Sequence, residues 1–284
     1  MINVSSPKLA RRKAVSGLFT IACGVATAIA VIALFAILWS LVSKGVAGLG
    51  VNTFILDTPA PGSTGGLANA IMGSVMMLVL AMFIAIVIGV LSGTWLAEYG
   101  ADTHYAQVIR FFNAMLLSAP SILVGLFIYT LLVKPFGTFS GYAGAVALAM
   151  IAVPVITRTT EDVLLLQPSA LRESGVALGT PMSKTIRTIL WKASRAGLVT
   201  GGLLAFARIS GETAPLLFTS LSNQFRSFNM ARPMANLPVV INNFALSAYD
   251  DWQRLAWAGA LIISFLVLAT IIVARFVIRE QRRS

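Results

Sequence analysis

Arg172-Glu173-Ser174-Gly175-Val176-Ala177-Leu178-Gly179 is a charged stretch that continues through Lys184 to Trp191, set between two long apolar runs. The second of those runs carries Arg208 and Glu212 in the middle of otherwise oily sequence. A passive anchor needs neither feature. A charged segment able to dock a soluble partner, followed by two charges at hydrocarbon depth, describes a membrane machine.

The composition agrees. Of 284 residues, 57% are hydrophobic and 11% charged, where a soluble domain carries about a quarter charged residues. A bilayer core of ~30 Å takes about 20 apolar residues per helix. Six runs are candidates: 17–42, 67–96, 111–133, 142–157, 196–218 and 255–277. The fourth is short and holds Pro154. All six are continuous rather than alternating at period two, which favours helices over a barrel. The expectation is an all-α polytopic membrane bundle of about six transmembrane helices.

A net charge of +11 raises the question of nucleic acid, and its distribution answers it. With the N-terminus in the cytoplasm, Lys8, Arg11, Arg12, Lys13, Arg110, Arg158, Arg172, Lys184, Arg187, Lys192, Arg195, Arg275, Arg279, Arg282 and Arg283 fall inside. Only Lys44, Lys134, Arg226, Arg232 and Arg254 fall outside, and Arg208 lies within a run. The charge therefore encodes orientation, with both termini cytoplasmic in a multi-pass protein of the cytoplasmic (inner) membrane. No basic stripe with interleaved aromatics remains for nucleic acid. The first apolar run, about 25 residues, exceeds the 7–15 of a signal peptide and reads as an uncleaved span.

Three divisions follow: residues 1–66 (basic tail, first span and a Gly/Pro/Thr/Ser-rich loop at 58–66), a core over 67–278, and a short tail at 279–284. The connection 158–195 is mixed in charge. Within it Ser169 is a plausible N-cap, with Glu173 in or just beyond the first turn. Leu171, Val176, Leu178, Met182, Ile186, Ile189 and Leu190 can supply one apolar face, broken at Gly179-Thr180-Pro181, so two short helices are expected. Gly89 with Gly93, and Gly197 with Gly201, are small-xxx-small pairs that permit close helix approach.

Other chemistry finds little material. Gly179-Thr180-Pro181-Met182-Ser183-Lys184-Thr185 ends like a phosphate-binding P-loop, but Leu178 and Ser183 stand where that motif has glycines, and no strand precedes it. Any ATPase must then be another subunit. One histidine, His104, and one cysteine, Cys23, leave no basis for a zinc site or a Cys/His nucleophile, and no metal or cofactor is expected. Cys23 reads as a small packing residue and His104 as a surface residue in a short turn. Glu161-Asp162 and Asp250-Asp251 read as solvated loop charge.

Glu173-Ser174-Gly175, then Gly179 and Ile189, follow the spacing of the EAA loop of ABC importer permeases, with Ser174 and Gly175 where that loop has alanines and Trp191-Lys192 where it closes on Leu-Pro. Arg208-Ile209-Ser210-Gly211-Glu212-Thr213-Ala214-Pro215 resembles the Arg-x-x-Gly-Glu-Thr-Ala-Pro segment of the phosphate-specific permease subunits. The segments Trp95–Tyr99, Ala119–Phe127, Pro233–Pro238 and Trp252–Trp257 resemble that family too. The resemblance spans roughly residues 67–275. It implies the type I ABC importer permease fold and phosphate as the solute. It also implies a second homologous permease subunit, two copies of a cytoplasmic ATPase and an extracytoplasmic phosphate-binding protein, with membrane lipid around them. In that family the loop is a coupling helix, which puts Arg172, Glu173, Ser174, Gly175, Ala177, Gly179 and Lys184 at the ATPase, and Arg208, Glu212 and Thr213 on the solute pathway. Another oxyanion or an unrelated solute is the alternative within transport; a polytopic membrane enzyme or a scaffold is the alternative outside it.

The chemistry at Arg208 fits the pathway. A charge at mid-membrane costs about 2.5–3.5 kcal/mol on insertion scales, so it should face a partner or an aqueous path. A guanidinium stays protonated and offers a planar fork matched to phosphate oxygens. Glu212, four residues on, is spaced to pair with Arg208 and orient it; a pair serving only helix packing is the competing explanation. Pro215 cannot donate to the Gly211 carbonyl, which loosens the helix there.

Overall fold

A computed structural model of the chain describes residues 7–100 and 103–280. Its elements are helices. α1 (Pro7–Gly48), α2 (Val51–Ile55) and α3 (Ala68–Glu98) come first; α4 (His104–Ser118) and α5 (Ser121–Phe136) follow. Next are α6 (Gly141–Leu165), α7 (Ser169–Ala177) and α8 (182–193). The chain closes with α9 (Arg195–Ser210), α10 (Ala214–Thr219), α11 (Leu237–Ala245) and α12 (Asp250–Glu280). No strand occurs among the described residues.

The expected six spans resolve into three kinds. Four helices (α1, α3, α6 and α12) are continuous and long and apolar enough to cross a membrane. The third expected span is α4 and α5, which meet at 107° across Ala119-Pro120. The cause is local: proline pushes the preceding residue out of the helical region, and Ala119 sits at ψ 135°. The fifth expected span is interrupted between Ser210 and Ala214. The fourth is longer than its apolar run, because Arg158–Leu165 continue α6 as a charged helical end. Pro154 is tolerated inside α6, and its own carbonyl accepts a hydrogen bond from Asn113 Nδ2 at 3.2 Å.

α6 is the centre of the bundle, and glycines put it there. A Cβ on Gly89 of α3 would stand 2.7 Å from Ile156 Cβ, and one on Gly93 would stand 2.5 Å from the Thr157 carbonyl oxygen. From the other side, a Cβ on Gly197 of α9 would meet Val163 at 2.5 Å, and Gly201 lies against Thr159. Both small-xxx-small pairs therefore face one helix. Small residues repeat the theme in the core, where Ala81 and Ala85 of α3, Ala145, Ala149 and Ala152 of α6 and Ala205 of α9 are buried around Met77, Leu148, Ile156 and Ile209. Without a hydrophobic drive in lipid, close van der Waals packing of this kind is what holds helices together.

α1 is the opposite case. Residues 11–39 are exposed along their whole length, and contact comes only at the end, where Gly45 meets Leu261 and Gly48 meets the Arg254 carbonyl. Lys44 Nζ sits 4.9 Å from the Trp257 ring centre. Asp250 and Asp251, expected in a loop, form the first turn of α12, where carboxylates complement the helix dipole. Asp251 also accepts a hydrogen bond from the Gly62 amide at 3.2 Å. His104 is exposed at the first position of α4, capped by Thr103. Arg282 and Arg283 lie outside the described residues.

Candidate functional site

Two places concentrate the polar chemistry, and both grow from helix ends. The first is the interruption between α9 and α10. α9 stops at Ser210, and Gly211 leaves the helical region at φ −103° and ψ 3°. The Glu212 amide reaches back only to Ile209 at 3.3 Å. Thr213 then caps α10 with its backbone carbonyl, which accepts from the Leu216 and Leu217 amides at 3.1 and 3.2 Å. Pro215 is well placed in the first turn, where a missing N–H breaks no bond. α5 seats closely on this turn, with Gly125 so near that a Cβ would lie 2.6 Å from Pro215 Cα.

The interruption changes the relation of the two charges. Arg208 is exposed, and Glu212 and Thr213 are half-buried. Arg208 and Glu212 form no ion pair among the described residues. The four-residue spacing brings side chains together only on a continuous helix, and the helix ends between them. The break presents a guanidinium and a carboxylate that are not paired with each other and have no ionic partner in the described part of their own chain.

The second place is the connection after α6. Two short helices, α7 and α8, meet at Gly179-Thr180-Pro181 as the composition suggested. Ser169 is the first residue of α7, and Pro168 holds the cap position without a side-chain bond. Gly179 takes φ +67°, and the Thr180 amide closes the turn on the Gly175 carbonyl at 3.0 Å. Gly175 is buried because α7 and α8 touch there: a Cβ would lie 2.5 Å from Thr185 Oγ1. Glu173, Ser174, Ala177, Gly179 and Lys184 are exposed. The expected apolar face splits. Leu171, Met182, Ile186 and Leu190 pack with Ala97 and Leu164, whereas Val176 (65% exposed) and Leu178 (81%) point outward.

Arg172 departs from the group. Rather than facing outward for docking, it makes a two-pronged pair with Glu98 at the end of α3, at 2.7 and 2.8 Å. Its remaining donors reach the Gln167 and Leu164 carbonyls, each at 2.9 Å. The hydrogen bond to Glu98 raises the already high guanidinium pKa, against the opposing effect of burial, so Arg172 stays charged. A second pair lies alongside: Arg110 Nε of α4 donates to Glu161 of α6 at 2.6 Å. Glu161 is thus a buried, paired residue and not solvated loop charge, while its neighbour Asp162 pairs with Arg158 on the surface. The residues missed from sequence are Glu98, Arg110 and Glu161. The available signal is position: each is a charge at or near the end of an apolar run.

The family described as binding-protein-dependent transport system inner membrane component matches residues 85–283. The chain belongs to that family. Among curated relatives, the phosphate transport system permease protein PstA of Pasteurella multocida is 51% identical over 87% of this chain and 88% of its own. PstA of Yersinia pestis is 52% identical, over 87% and 84%. The probable PstA of Methanocaldococcus jannaschii is 33% identical, over 93% and 94%. In fold, the chain matches a solved inward-facing MetNI methionine ABC transporter with a TM-score of 0.62 at 18% identity, covering 74% of this chain and 94% of that one. The expected all-α, type I permease architecture and the kinship with PstA both stand, in a multi-pass membrane protein.

Proposed function

We propose that this chain is a permease subunit of a phosphate ABC importer and passes phosphate, unmodified, through the cytoplasmic membrane by ATP-driven alternating access. The observation that carries the reading is the break at Gly211–Thr213, where Arg208 is exposed without an ionic partner among the described residues. An unneutralised charge in a membrane helix requires a counter-surface, which an aqueous anion path supplies. Kinship with the PstA permeases names the anion.

The exposed side of Arg208, Glu212 and Thr213 faces a second, PstC-like permease subunit, and the path runs between the two. A PstS-like binding protein delivers phosphate from the extracytoplasmic side. Two PstB-like ATPase subunits dock on the cytoplasmic side against α7, where Glu173, Ser174, Ala177, Gly179 and Lys184 are exposed together with Val176 and Leu178. Exposed aliphatic side chains beside a carboxylate are the makings of an apolar contact with a polar rim. Both termini are cytoplasmic, with 158–195 inside and 222–254 outside. The catalytic work of hydrolysis belongs to the ATPase.

The complete four-component complex in proteoliposomes tests this. Uptake of radiolabelled phosphate should require ATP and the binding protein together, and excess sulfate should leave it unchanged. Uptake that proceeds without ATP, or that sulfate abolishes, would sink the reading.

A further inference from the structure

The two buried ion pairs at the ends of α3 and α6 share one geometry. Arg172 joins Glu98 of α3 to the carbonyls of Leu164, in α6, and Gln167, just past its end. Arg110 joins Glu161 of α6 to the carbonyl of Leu96, in the last turn of α3, at 3.2 Å. Each arginine therefore grips both helices, by a carboxylate on one and a carbonyl at or just past the end of the other, and neither arginine belongs to α3 or α6. The arginines come from α7 and α4. Both carboxylates are buried, with side-chain exposures of 1% for Glu98 and 5% for Glu161. Terminal carbonyls carry the negative end of the helix dipole, so cations are stabilised there independently of the carboxylates.

We infer that this crossed clamp is the strut that carries motion from α7 into the transmembrane bundle, with Arg172 a positioning residue and not an ATPase contact. The inference rests on the proposed docking of an ATPase at α7. Only a short turn, Leu166 to Pro168, links α7 to α6 along the chain, and such a turn by itself would let α7 swing freely. A two-pronged guanidinium–carboxylate pair has fixed geometry and removes that freedom. Gly175 against Thr185 closes the opposite joint, between α7 and α8, by backbone proximity. Trp191 Nε1 ties α8 back to Thr94 of α3 at 3.1 Å. A push on α7 is then delivered to α3 and α6 together, and these two pack as one body through Gly89 and Gly93.

The test is phosphate carried per ATP hydrolysed in the reconstituted complex. Glu98→Gln keeps the shape and removes the charge; hydrolysis should stay within about twofold while the transport ratio falls about fivefold, inside the range found for residues that couple distant sites. An unchanged ratio overturns the inference. So does a parallel loss of hydrolysis, uptake and ATPase co-purification, which would return this pair to the docking surface. A second variant decides the matter if Glu98→Gln does not assemble. In a Cys23→Ser background, Glu98→Cys with Arg172→Cys should transport poorly when reduced and regain coupling when joined by a short bis-thiosulfonate linker. A linked but uncoupled complex overturns the strut. A wild-type complex with no ATP-driven phosphate uptake would instead fault the functional reading itself.

Discussion

Arg172 and Arg208 are the same residue type in the same chain, and their surroundings differ in kind. Around Arg172 every interaction closes within the subunit: a buried carboxylate, two terminal carbonyls and a bundle end behind them. Around Arg208 the helix stops two residues on, the nearest carboxylate in sequence forms no ion pair with it, and the guanidinium stays exposed. A charge that finds its partner inside the fold is part of the scaffold, and its loss is felt within the subunit, in its stability and in how its helices move together. A charge without one is open to a partner outside the fold, and under the proposed function its loss is expected to register in uptake.

The largest expected effect is at the unpartnered charge. Arg208→Gln should lower phosphate uptake by about 10³-fold with assembly retained, comparable to removing one preorganised donor from a charge-stabilising site. Arg208→Lys should recover part of it, since ammonium keeps the charge and loses the fork. Adding Glu212→Gln to Arg208→Gln should not rescue uptake, because the two side chains are not paired. Rescue in the double variant would erase the contrast between the two arginines.

The partnered side should respond in stability. Arg110→Ala leaves Glu161 buried without its guanidinium, a change of about 3 kcal/mol. Denaturant unfolding of the purified subunit in detergent measures it, and a loss within error would place the clamp among ornamental pairs. Overpacking sets the next level. Gly89→Leu should destabilise the same transition by about 2 kcal/mol, because the new side chain meets Ile156.

Smaller effects define the floor. Gly179 sits at φ +67° with open space around its Cβ position, so Gly179→Ala should lose about 1 kcal/mol through backbone strain and not through crowding. Gly179→Leu should lose a similar amount, and a much larger loss would mean that something packs on that turn. Arg158→Ala removes the exposed pair with Asp162 and should change stability by no more than about 0.5 kcal/mol.

Much of this is legible in the sequence. Apolar run length placed α1, α3 and α12 well, since a span is set by composition over twenty residues. The glycine pairs announced close helix contact, although nothing in them said that both would face α6. Local punctuation is visible in the sequence but not its scale: Ala119-Pro120 and Gly211 to Pro215 lie inside apolar runs, where hydrophobicity alone gives continuity. α6 outran its run because Glu161, which looks solvated in one dimension, has its partner 51 positions away in Arg110. Pairing across such a distance leaves no trace in local pattern. For the same reason local pattern groups Arg172 with its neighbours in the loop, while its partner Glu98 stands 74 positions earlier. Glu173, Ala177, Gly179 and Lys184, grouped by the resemblance of their loop, are exposed in the structure.

The first helix carries a further consequence. Forty-two residues make a rod of roughly 63 Å at 1.5 Å per residue, about twice the thickness of a bilayer core. Over residues 11–39 it leans on no other part of the chain. The order of that stretch is therefore set by the solvent around it and not by the bundle, so an unfolding curve recorded on the purified chain is silent about residues 11–39. Changing acyl-chain length should tilt the rod and leave the melting of the rest where it was. In thermodynamic terms the molecule is two objects on one chain, one that answers to lipid and one that answers to itself.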